Sequence, residues 1–142
     1  MIFSTIHPLL VHFPVALFVS GVLLIIYGKL QKEETMQVAG QFNIRFGFWC
    51  ALVTLSVGFL AVINMEVKDK FREMLGFHML FAFSTVALFG VALVLYRFRQ
   101  KPWARVLYHL VLVCGLFSTL ATGYCGGELV HRFGVATLHL TD

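Results

Sequence analysis

The chain has 142 residues, 59% of them hydrophobic and 13% charged, with a formal net charge of +4. A soluble globule of this size leaves much of its surface in water and cannot cover that much apolar area, which excludes an ordinary soluble domain. The positive balance lies in two short segments between apolar blocks, so it speaks to topology and gives no support to nucleic-acid binding.

Four stretches lack Asp, Glu, Lys and Arg: 1–28, 46–65, 74–96 and 106–127. Each is long enough to cross ~30 Å of hydrocarbon at ~1.5 Å per residue. The expected fold is therefore all-α, a single domain of four transmembrane helices over about 8–28, 46–65, 74–96 and 104–126, with a short tail over 127–142. The first block lacks a basic start and is too long for a leader's apolar core, so it reads as a retained helix. Short connections favour an up-and-down bundle.

The first connection carries Lys29, Lys32 and Arg45, and the third carries Arg97, Arg99, Lys101 and Arg105. The opposite side mixes Lys68, Lys70, Arg72 and Arg132 with Glu66, Asp69, Glu73, Glu128 and Asp142. The positive-inside rule then puts the two basic connections in the cytoplasm and both termini on the outer, periplasmic side of the inner membrane.

In helix 1, HPLLVHFP sets two histidines and two prolines at the start of an apolar span. An up-and-down bundle gathers His7, His12, Asn64, Glu66, His78, Tyr124, Glu128 and His131 at its outer end, with His139 just beyond and His109 alone at the other surface. His7 and His12 lie about 140° apart around a helix, so both reach one centre only if the backbone departs from helix near Pro14. His12 is the expected inward residue, with Ala16 and Ser20 following at four-residue steps, and His7 the expected interfacial one. In helix 3, His78 is followed on the same face by Ala82 and Thr85. Helix 4 carries Gly115, Thr119, Gly123 and Gly127 at four-residue steps, the small-residue pattern that admits close approach or a flat macrocycle. A capping turn at Gly126–Gly127 is expected to end that helix and swing Glu128 and His131 over the bundle mouth.

Helices 1 and 3 are diagonal in such a bundle, which suits His12 and His78 as axial ligands on opposite faces of one haem b iron. His7, Ala16, Ser20, Ala82, Thr85, Gly123 and Gly127 would line that site, and His7, His131 and Glu128 are secondary metal candidates. A second reading has the histidine cluster hold copper, zinc or iron without a porphyrin. A third has the imidazoles bonded to backbone carbonyls or Glu128 in a cofactor-free scaffold. Cys50, Cys114 and Cys125 are isolated, with neither C-x-x-C nor the C-x-x-C-H of an attached c-type haem. No Ser-His-Asp set, phosphate loop or inward carboxylate pair favours catalysis. An electron-transfer or binding subunit is therefore the better expectation than an enzyme, and association of several chains is left open.

At HPLLVHFPVAL and GYCGGELVHRFGV the chain resembles the membrane proteins of domain-of-unknown-function family 2231, with a third match at HMLFAFSTVALF. His7, Pro8, His12, Pro14, His78, Gly126, Gly127, Glu128 and Gly134 carry the likeness. The family pattern sets an aromatic where His131 stands and a histidine where Phe133 stands, and here the two types are exchanged. The resemblance implies a small integral membrane protein associated with c-type cytochrome modules. A periplasmic c-type cytochrome or a quinone is the partner this suggests, beside the lipid bilayer.

Overall fold

The computed structural model describes residues 2–135. His139 and the end of the expected tail lie outside them. The described chain forms α1 (Ile2–Leu10), α2 (His12–Gln31), α3 (Glu34–Ile63), α4 (Asp69–Arg97) and α5 (Pro102–His131), with no strand among these residues. Four segments are long and apolar enough to span a membrane: Thr5–Gln31, Glu34–Ile63, Asp69–Arg97 and Pro102–His131.

The first span joins α1 and α2 across Val11, where proline chemistry shows. Pro14 has no N–H to give the Leu10 carbonyl. Flanking bonds from Val11 N–H to His7 O (3.1 Å) and from Val15 N–H to Val11 O (3.2 Å) carry the helical path through. Val11 itself keeps helical angles, φ −61° and ψ −24°. The expected departure is thus too small to turn His7 and His12 to one side.

The spans pack as an up-and-down bundle in which each contacts its neighbours in chain order and the last returns to the first. Two hairpins, α1–α3 and α4–α5, are closely packed within themselves and meet each other more loosely. The first is drawn together by glycines. A Cβ on Gly40 would come within 2.6 Å of the Gly21 carbonyl oxygen and 2.9 Å of the Ile25 nitrogen, both rigid backbone atoms. Gly40→Ala is therefore expected to force α2 and α3 apart, with an overpacking cost of about 2 kcal/mol. A clear fall in Tm in detergent should report it. Gly76→Ala, where a Cβ meets nothing within 4 Å, should leave Tm unchanged.

The core cluster fills the middle and basic end of the bundle, around Phe18, Ile44, Phe89 and Leu112. At that end the Tyr108 hydroxyl donates to Gln41 Oε1 at 2.6 Å, tying α5 to α3. A second cluster caps the other end, where Phe71 and Leu75 pack on Leu129. Large side chains such as Trp49, Leu80 and Phe117 are 62%, 59% and 70% exposed. On a spanning helix that is the face offered to lipid tails.

α5 does not stop at Gly126–Gly127. It continues to His131, and the chain turns at Gly134, whose φ of 65° suits a residue without Cβ. Val135 N–H returns to the Leu129 carbonyl at 2.9 Å. The mid-helix glycines stay helical, since a glycine inside a helix costs only about 1 kcal/mol relative to alanine.

Candidate functional site

Two imidazoles face each other between the hairpins, at the end of the bundle that holds the chain's N-terminus. They belong to His7 and His78, with ring centres 6.2 Å apart and planes crossed at 86°. His7 comes from α1 in the first hairpin and His78 from α4 in the second, so the line joining them crosses the interface between the two.

Each ring is held in the same way. His7 Nδ1–H donates to the Thr54 carbonyl at 3.2 Å, and His78 Nδ1–H to the Thr122 carbonyl at 3.1 Å. A carbonyl oxygen can only accept, so the proton is on Nδ1 and the Nε2 lone pair is left over. Each ring also lies over a glycine. A Cβ on Gly58 would stand 2.6 Å from His7 Cε1, and one on Gly126 would stand 3.1 Å from His78 Cε1. A Cβ at Gly58 would force the His7 ring off its place, and one at Gly126 would require the His78 ring to give by a few tenths of an ångström.

Below the pair runs a cleft of about 70 Å³ lined by Val11, Pro14, Val15, Ala51, Ala82 and Thr85, among others. Its walls are almost wholly apolar. Phe18 closes it and stacks on Phe89, with ring centres 3.8 Å apart and planes 6° from parallel. On α4 the cleft-lining side chains recur at His78, Ala82, Thr85 and Val86, as the helical period requires. Thr85 donates to Ser118 Oγ at 2.9 Å, and Ser118 donates to the Phe81 carbonyl at 2.9 Å. These bonds satisfy the buried hydroxyls within the second hairpin.

Several sequence expectations are corrected here. His12 is exposed and turned away from the cleft, as is Ala16. The inward stripe of the first span is His7, Val11, Pro14, Val15 and Phe18, and the expected 140° between the two histidines puts His12 on the lipid side. Ser20 is half-buried against α3, where it donates to the Ala16 carbonyl at 2.6 Å and accepts from Asn43 at 3.0 Å. His7, expected at the interface, is the inward residue. Gly123 and Gly127 do not wall the cleft, and a Cβ on either would meet nothing within 4 Å. Steps of four residues drift ~40° each around a helix, so the strip that begins buried at Gly115 has rotated off the interface by Gly123.

Glu128 pairs with Arg132 at 3.4 Å, and His131 is exposed. Neither is brought to the imidazole pair, because α5 stays helical past Gly127. Among the described residues no three of His, Cys, Asp and Glu come together as a metal cluster. His78, Ala82 and Thr85 stand on the cleft as expected.

Sequence reasoning ranked His7 behind His12, and it missed the Thr54 and Thr122 carbonyls and the packing of Gly58 and Gly126. One signal was there to be read. HPLLVHFPVALF at 7–18 and HMLFAFSTVALF at 78–89 share their first histidine and their closing VALF. Laid over one another, they set His7 against His78, and His12 against Phe83, a residue 48% exposed.

The two ring centres are spaced as those of a metal-bridged pair would be. Two imidazoles sharing one metal through facing nitrogens at ~2 Å have ring centres ~6 Å apart. The separation here is 6.2 Å. Having one ring nitrogen tied to a carbonyl is how ligand histidines are oriented.

Four apolar spans with a polar pair set at one end define an integral membrane helix bundle. The chain belongs to the family described as predicted membrane protein DUF2231, whose model matches residues 4–139. No curated protein and no solved structure matches it.

Proposed function

We propose that this chain is an electron-transfer subunit of the membrane, with a redox metal between His7 and His78, and that haem b is the group that carries it. The supporting observation is the pair of facing imidazoles, each tied at Nδ1 and free at Nε2. Haem b bound there would supply one-electron redox chemistry. The chain supplies the rest. Thr54 and Thr122 carbonyls fix both rings, and apolar walls exclude water. The loose contact between hairpins is the plane in which a flat group would lie.

The donor set favours haem iron over a bare ion that changes oxidation state. Copper(II) prefers four ligands in a plane, and the described residues bring only two to the site. A porphyrin completes that count by itself. The cleft of about 70 Å³ is smaller than a porphyrin. Binding thus entails parting the cleft walls beside the pair by the ~3.5 Å thickness of an aromatic layer, with the two imidazoles kept at their present spacing. That same narrowness favours a second reading, in which copper(I) sits linearly between two nitrogens and the protein passes the ion on.

With the basic connections in the cytoplasm, the pair lies at the periplasmic side of the inner membrane. A periplasmic c-type cytochrome or a quinone would be its partner there. Haem and metal content of protein purified from haem- and copper-replete cells tests the assignment. About one haem b per chain is expected. Copper near one per chain without haem favours the second reading, and a folded preparation with neither leaves a scaffold.

A further inference from the structure

The two hairpins repeat each other in detail. His7 and His78, and likewise Phe18 and Phe89, stand 71 residues apart in the chain. Thr54 and Thr122, and Gly58 and Gly126, stand 68 apart. Matched residues do the same work: each threonine offers a carbonyl to an imidazole, and each glycine lies beneath one. The halves thus turn like faces to one another, with one ionisable ring on each. What joins them differs around the bundle. On one side α3 runs into α4 through the short connection 64–68, where Val62 and Val67 pack on the cluster of Phe71, Leu75 and Leu129. Toward the basic end the core cluster and the Tyr108–Gln41 bond hold the hairpins together as far as the Phe18–Phe89 stack. The remaining side is open at the outer end. Among the described residues, α1 comes within 8 Å, Cα to Cα, of α2 and α3 and of neither helix of the second hairpin. His7 and His78 face each other across that gap.

We infer that the imidazole pair is a proton-operated latch: neutral rings let the hairpins close over the cleft, and charging both parts the outer ends along the α1–α5 side. Imidazole is the side chain that changes charge near neutral pH. The cleft lining brings no other titratable group to the pair from α2, α3, α4 or α5. At the same end Glu66 and Glu73 are exposed, and Glu128 and Asp69 pair with Arg132 and Arg72. Two charged rings 6.2 Å apart between apolar walls therefore repel with no counter-charge and little screening. The joined α3–α4 side and the aromatic stack stay fixed, so the repulsion acts on the open side. Pro14 eases the movement, since the helix above it lacks the bond to the Leu10 carbonyl. The latch rests on this chain's own contacts and is independent of what the pair binds.

Distances between paired spin labels, measured on the full chain in lipid with no metal or haem added, test this. Cys50, Cys114 and Cys125 are first replaced by alanine. Labels then go on Leu9→Cys in α1 and Tyr124→Cys in α5, two outer-end positions each 67% exposed. A second pair, on Leu30→Cys and Trp103→Cys, reports the basic end. From about pH 8 to about pH 5, the window of imidazole titration, the Leu9–Tyr124 distance is expected to lengthen by ~4 Å, one layer of contacting atoms. The Leu30–Trp103 distance should stay fixed. His7→Gln and His78→Gln remove the charge and keep a side-chain N–H for the carbonyl. Each should hold the short outer distance at both pH values. An outer distance that ignores pH in the chain with both histidines, or that lengthens in either glutamine variant, overturns the latch. A basic end that moves as far shows general loosening and overturns it too. Either glutamine variant decides alone if the other does not fold.

Discussion

With haem bound as proposed, His7→Gly is expected to remove its low-spin bands from the purified protein, while His12→Gly leaves them in place. Only His7 is paired with His78 across the cleft, and His12 is exposed on the far side of the same span. Loss of a residue that merely orients a metal ligand costs ~10–100-fold in affinity, so loss of the ligand itself should cost at least as much. The glycine variant leaves a ring-sized gap beside the free Thr54 carbonyl, and added imidazole should re-enter it and restore the bands. His78→Gly should behave the same way beside Thr122. Bands lost in His12→Gly and kept in His7→Gly would reverse the assignment. Absorption spectra of the oxidised and reduced proteins read all four results.

Phe18→Ala is expected to be among the most destabilising single changes in the bundle. Phe18 and Phe89 are 1% and 0% exposed and stack at 3.8 Å where the two hairpins touch beneath the cleft. Truncating a buried phenylalanine costs about 3 kcal/mol or more. In lipid, part of the usual transfer cost disappears because tails are as apolar as the core, and the lost contacts and the void remain. The void also opens the cleft downward, since Phe18 forms its floor. Phe89→Ala should cost a similar amount, and the double variant less than the sum, because the two rings share one contact. Thermal unfolding in detergent measures these costs, and unchanged Tm values in both single variants would contradict the stack's role.

Much of the fold was legible in composition. Charge-free stretches set the spans, the basic connections set the order in which they turn, and both follow from what hydrocarbon tolerates. Which side of each helix faces inward was less legible. In water an amphipathic stripe separates core from surface, but lipid is as apolar as a core, so Phe13 and Phe18 look alike in sequence and face opposite ways. Orientation then rests on small and polar residues. His12, Ala16 and Ser20 carried that signal on the wrong face. His78, Ala82 and Thr85 carried it on the right one. Gly126 and Gly127 suggested a helix end in water's terms, whereas in this bundle Gly126 makes room for a ring. The hairpin repeat held the missing information, since a shared VALF fixes which histidine matches His78.

Histidine-to-histidine distance in the protein reconstituted in lipid, without any metal, tests the facing pair most directly. Solid-state nuclear magnetic resonance on histidine-labelled chain should show a cross-peak between two imidazoles, from ring centres 6.2 Å apart. That peak should vanish in His7→Gln and in His78→Gln and persist in His12→Gln. A peak that needs His12, or none at all, would contradict the site.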